Sequence, residues 1–178
     1  MFPDRRAEAD SRAIAVARAY EEQIRRAVVL DVSDGTNQTA AAIRRALDHL
    51  GATSSLRTVS ADLISTAEEE GGPRVIELKG RGSSGPIQAP ERELETLTAA
   101  GLGGWLYVVW NTTQPRPYRL LLVQDPQTLP WTTVRPAARP ACQARGVRHE
   151  ALLRVEARDV EEAGVEVDVS GLADLPTK

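Results

Sequence analysis

Pro73-Arg74-Val75-Ile76-Glu77-Leu78-Lys79-Gly80-Arg81 is the stretch that organises the rest of this chain. Val75 to Lys79 has the composition of a strand, and Gly80 to Gly85 follows as a flexible glycine and serine loop. Alternate side chains of a strand share a face, so Glu77 and Lys79 point one way while Ile76 and Leu78 turn the other way, toward a core. Lys79 is the only lysine before the terminal Lys178; elsewhere the chain uses arginine, as in Arg25-Arg26 and Arg44-Arg45. Lysine offers a compact ammonium whose pKa burial can move, whereas a guanidinium stays protonated and forks. One internal lysine in so arginine-rich a chain points to a task that arginine cannot perform.

Upstream, Leu56 to Ser65 reads as extended chain, and the acidic turn Glu68-Glu69-Glu70-Gly71-Gly72 makes it the hairpin partner of Val75–Lys79. Earlier still, residues 5–26 carry Ile14, Ala17, Tyr20 and Ile24 at helical spacing. Ala27 to Val32 reads as a short strand, and Thr36 or Asn37 caps a second helix that runs to Leu50 and closes at Gly51. Downstream, Pro90 to Ala100 fits a helix with proline in its first turn and Gly101 past its end. Trp105 to Trp110 is almost wholly apolar, as a strand buried on both faces should be, and Tyr118 to Val123 is another strand. Residues 126–148 hold turn breakers and the arginines Arg135, Arg139, Arg145 and Arg148; a strand at Leu152–Val155 and a short helix near Asp159 to Ala163 follow.

This order describes an α/β sandwich with a central mixed sheet flanked by helices. Ile76 and Leu78 are expected against the helix bearing Leu94 and Leu97 or the one bearing Ile43 and Leu47, with Leu106 and Val108 continuing that core. The 178 residues, 42% of them hydrophobic, suit a single domain: a helical N-terminal part over 1–52, a catalytic core over 54–126 and an extension over 127–178.

The net charge of −3 argues against a nucleic-acid-coating protein but leaves room for a local site. One cysteine, Cys142, excludes an intrachain disulfide and a cysteine zinc cluster, and two histidines are too few for most histidine metal sites. The N-terminal residues lack the apolar run of a signal peptide, and no stretch is long enough to span a bilayer, so a cytoplasmic location is expected.

Asp62, fifteen residues before Glu77, can reach the same polar face from the neighbouring strand if the register allows. Two carboxylates that converge repel unless a cation sits between them. Mg²⁺, with Mn²⁺ as a substitute, suits such a site because it takes hard oxygen ligands and keeps places for water and substrate phosphate. The ion would acidify a water and neutralise charge on the phosphate; Lys79 would hold or help deprotonate that water, or stabilise the transition state. The plain alternative is a half-exposed strand with alternating charges. Trp105, Tyr107 and Trp110 read as sheet packing rather than base-stacking platforms.

Several segments together resemble the NO VEIN C-terminal domain family, related to the PD-(D/E)XK nucleases and often attached to helicases or found in bacterial defence loci. They are Arg74 to Arg81, Gly85-Pro86-Ile87-Gln88 with the helix after it, Trp105 to Asn111 and Val123-Gln124-Asp125-Pro126, with a looser likeness at Arg154 to Val160. The resemblance covers roughly residues 60–126. It implies a restriction-endonuclease-like fold, Mg²⁺-dependent hydrolysis of DNA phosphodiesters, and Asp62, Glu77 and Lys79 as catalytic residues, the first two as metal ligands. It makes Glu21 and Glu22 candidates for a further ligand from the first helix, against the reading of a solvated helix face. Arg81 and Gln88 are candidate substrate contacts. A homodimer or a helicase-containing assembly would be the working form. Against a nuclease stand two other readings, a catalytically silent module of the same fold that binds nucleic acid or a protein partner, and a structural interaction domain.

Overall fold

The computed structural model describes residues 5–52, 56–69, 72–114, 117–134 and 151–176. The arginines between Arg135 and Arg148, with Cys142, lie outside the described residues. The elements run α1 (Arg5–Ala19), β1 (Val28–Asp31), α2 (Asn37–His49), β2 (Leu63–Thr66), β3 (Arg74–Gly80), β4 (Ile87–Pro90), α3 (Glu91–Ala100), β5 (Gly104–Trp110), β6 (Arg119–Gln124), β7 (Thr132–Val134), β8 (Leu152–Val155), α4 (Ala157–Ala163) and β9 (Val165–Val167). The main sheet is six-stranded in the order β1-β2-β3-β5-β6-β9; a smaller sheet has the order β4-β8-β7. Only β3 and β5 pair in parallel, and every other neighbouring pair is antiparallel. The fold is therefore α/β with a mixed sheet. A parallel pair needs a crossover, and α3 supplies it.

The centre of the sheet follows from β5. Its near-continuous apolar run buries Leu106, Tyr107, Val108, Val109 and Trp110 completely. Leu106, Val108 and Trp110 meet Ile87, Leu121, Val155 and Val160 on one face. Tyr107 and Val109 meet Ala13, Val16, Ala17 and Tyr20 of the first helix on the other. Trp105 lies beneath the Arg74 guanidinium at 4.0 Å, so all three tryptophan and tyrosine side chains singled out on β5 serve packing rather than a stacking platform.

The β2–β3 hairpin forms in the expected place, with Leu63 opposite Ile76 and Ile64 opposite Val75. The core partners of β3 differ from expectation. Ile76 and Leu78 pack beneath α1, while Val75, on the Glu77 face, meets Ile43, Leu47, Leu94 and Leu97. Leu106 and Val108 belong to a third cluster. The alternation of β3 was legible; which helix covers which face depends on the crossover, and α1 takes the face opposite α2 and α3.

Alanines at 9, 13 and 17 let α1 lie close to the sheet. A Cβ built on Gly80 would stand 2.4 Å from the Ala9 carbonyl oxygen, so glycine is what permits the contact at the end of β3. The first helix also ends earlier than its spacing predicts. Tyr20–Ile24 is a π turn, in which the Arg25 N–H donates to the Tyr20 carbonyl. The wider turn shifts the phase, so Glu21 is buried and Ile24 is 57% exposed. Strands β4, β7 and β9, of three or four residues each, had no periodic signature long enough to read. Among the described residues no helix is long and apolar enough to cross a membrane.

Candidate active site

Lys79 stands near the end of β3, where the strand emerges between α1 and α3. Its ammonium donates to Glu77 Oε1 at 2.7 Å and to Glu93 Oε2 at 2.6 Å. Asp62, one residue before β2, continues the ladder: its N–H donates to the Ile76 carbonyl at 2.9 Å. Its Oδ2 accepts the backbone N–H of Leu78 at 2.7 Å, and its side chain hydrogen-bonds with Glu77. The pairing of Leu63 with Ile76 is what sets Asp62 across from Glu77. The three residues expected from the sequence thus converge. They lie in a cleft of about 580 Å³ walled by Asp10, Ala13 and Ile14 of α1 on one side and by Gln88, Arg92 and Glu93 on the other.

Glu93 is the member that sequence reading missed. It sits in the first turn of α3, where a carboxylate also suits the helix dipole, and its side chain is 12% exposed. Glu91 and Glu95 flank it in sequence and are exposed. A usable signal existed: Glu93, Leu97 and Ala100 follow i, i+4, i+7, which puts Glu93 on the buried stripe of the helix.

Burial holds the Glu77 carboxyl well above the usual carboxylate range; Asp62 and Glu93 add like charge, and Lys79 pulls the other way. Burial likewise raises Asp62, against the Leu78 N–H and the Lys79 charge. For Lys79, burial alone would lower the pKa, but Glu77 and Glu93 more than offset it and the group is raised. Lys79 is therefore an ammonium in this site. It offers fixed positive charge rather than proton acceptance, which removes one of the roles the sequence left open.

Three carboxylates around one ammonium leave a formal excess of negative charge at a position where Glu77 is 3% exposed. A divalent cation relieves such an excess. Among the described residues, no three His, Cys, Asp or Glu side chains are grouped to hold a metal by themselves. Mg²⁺ asks less of a protein, since one or two carboxylates suffice when waters and phosphate complete its shell. Adjacent Asp62 and Glu77, both oxygen donors, fit that demand.

Neither glutamate expected from the first helix reaches the cleft. Glu21 is fully buried on the opposite face of the sheet, bonded to Arg25, Ser65 and Tyr107, with Arg74 at 3.7 Å. Glu22 pairs with Arg18 at 2.7 Å on the surface. The π turn is the cause, because it rotates residue 21 onto the sheet. Asp10, two turns earlier, faces the cleft instead. Gln88 lines the cleft and Arg81 an adjoining hollow; both are exposed.

Lys79→Arg is expected to be nearly as inactive as Lys79→Ala while staying folded. The ammonium occupies a gap between two carboxylates, and its side chain is 18% exposed. A planar guanidinium is larger and keeps the charge without the same placement. Phosphodiester hydrolysis by the two variants tests this, and wild-type rates with arginine would reduce Lys79 to a generic cation. In comparison with known proteins, no family model, no curated protein and no solved structure matches this chain.

Proposed function

We propose that this chain is a metal-dependent nuclease domain that hydrolyses DNA phosphodiesters, with Mg²⁺ or Mn²⁺ held by Asp62 and Glu77. One observation carries the reading: Asp62, Glu77, Lys79 and Glu93 meet at the floor of one cleft with more carboxylates than cations. A restriction-endonuclease-like fold belongs to the same proposal. It is supported by the order of α1, an antiparallel β1–β2–β3 run, the α3 crossover and the parallel strand β5.

When bound, the divalent ion supplies Lewis acidity toward a phosphate oxygen and toward water. The side chains do the rest. Asp62 is held in place by the Leu78 N–H, and Glu77 by its own strand. Lys79, steadied by Glu93, presents positive charge where negative charge grows as a water oxygen bonds to phosphorus and the bond to the leaving oxygen breaks. The proton lost by the water is matched by one gained at the leaving oxygen, so the reaction needs no other reactant.

The second reading is a silent module of the same fold that binds nucleic acid or a protein partner. The absence, among the described residues, of a three-residue metal group favours it. One experiment separates the two. Circular and linear DNA is incubated with the protein in Mg²⁺, Mn²⁺ or EDTA, alongside melting curves. The nuclease reading expects cleavage that EDTA stops, and a Tm that Mg²⁺ raises in wild type but not in Asp62→Asn. Binding to the folded state alone adds about 2.7 kcal/mol at a hundredfold excess over Kd. Equal shifts in both proteins would remove Asp62 from the ligand set; cleavage in EDTA would end the mechanism.

A further inference from the structure

The cleft continues beyond its acids. Asp10, Lys79, Gly80 and Gln88 also border a second hollow of about 200 Å³ that reaches Arg81. Gly80 and Arg81 in turn border a third, of about 390 Å³, lined by Gly82, Ser83, Thr113 and Gln114. Each hollow shares residues with the next, so together they make one furrow that follows the chain out of β3. Its floor is set by close backbone approach. A Cβ on Gly80 would meet the Ala9 carbonyl at 2.4 Å, and one on Gly82 would meet Thr113 Oγ1 at 2.5 Å.

Charge is distributed unevenly along it. Asp62, Glu77 and Glu93 occupy one end and Asp10 the junction. Past Arg81 the described lining is hydroxyls, an amide and backbone, with no acid. A mononucleotide would need only the first hollow. A chain of linked phosphates needs what the far end supplies, one exposed cation and neutral hydrogen-bonding groups that do not repel it. The depth of the site restricts the partner further. Glu77 is at the floor, so a phosphate must descend below the rim, and a stacked duplex resists such local distortion while a single strand does not.

We propose that this furrow is the track of a single nucleic-acid strand. Its scissile phosphodiester lies over Glu77 and Lys79, and the following phosphates pass Arg81 to Ser83, Thr113 and Gln114. The assignment rests on the hydrolytic reading of the same cleft, but it is tested by binding alone. The full chain carrying Glu77→Gln is titrated in Mg²⁺ against a labelled oligothymidylate long enough to overrun the furrow, by fluorescence anisotropy. Adding Ser83→Glu and Gln114→Glu is expected to weaken binding at least about tenfold, since like charge would then face phosphate. The same two charges at Thr98 and Gln127, exposed residues outside the furrow, are expected to leave binding as it was.

Equal weakening by both pairs, or none by the furrow pair, would overturn the track. Tighter binding of a duplex than of the single strand would overturn the choice of strand, and absence of binding would overturn both. Loss of binding in the furrow pair, in a protein that never cuts DNA, would keep the track and reject the nuclease.

Discussion

Glu77→Gln is expected to lose at least about 10³-fold in DNA cleavage, which corresponds to roughly 4 kcal/mol of barrier. Glutamine keeps the volume and a hydrogen-bond acceptor for Lys79, but removes one of two oxygen donors to the divalent ion and half of the pair that attracts it. The same change should leave Tm equal or higher. Glu77 is 3% exposed between two other carboxylates, and its burial already disfavours the charged form. Stability and activity therefore move apart, as they do where a site stores repulsion for its task. Supercoiled-plasmid nicking and a melting curve on one preparation check both halves. A folded glutamine variant that cuts at the wild-type rate would end the assignment of Glu77.

Glu21→Ala is expected to do the reverse, costing about 3–5 kcal/mol of stability through a residue outside the cleft. For a chain of this length that is a fall in Tm of about 6–20 °C. The carboxylate accepts from Ser65 and Tyr107 and is the counter-charge of Arg25, whose side chain is 7% exposed, and of Arg74. Burial, then the Glu21 charge, pushes the Tyr107 phenol up, so its hydroxyl stays a donor. Removing the carboxylate strands buried positive charge under the first helix. The metal-induced rise in Tm should survive in whatever fraction folds. A variant of unchanged stability that no longer responds to Mg²⁺ would instead make Glu21 a ligand.

The contrast between these two glutamates shows where the sequence was legible. Glu77 and Lys79 could be placed because a strand has a period of two and no freedom of phase, and the hairpin turn fixed Asp62 opposite them. Glu21 could not be placed, because its face depends on a π turn, and Tyr20-Glu21-Glu22-Gln23-Ile24 carries no mark that separates it from an ordinary helical turn. Glu93 lay between two other glutamates, so only its alignment with Leu97 and Ala100 set it apart. The helix partners of Ile76 and Leu78 were beyond reach for another reason: alternation says that a strand has two faces, and only the path of the α3 crossover says which helix covers each. The short strand β4, with Pro90 at its end, owes its existence to pairing with β8, more than sixty residues later.

The π turn has a further consequence, in terms of insertion and deletion. An α-helix advances about 100° per residue. A one-codon deletion within Tyr20–Ile24 would restore ordinary helical phase and swing residues 5–19 by that angle about their axis. Ala13 and Ala17 would leave the sheet and Asp10 the cleft. Substitution at an exposed position of the same segment, such as Ile24, disturbs neither. For this part of the chain, heritable change is open in identity and closed in length.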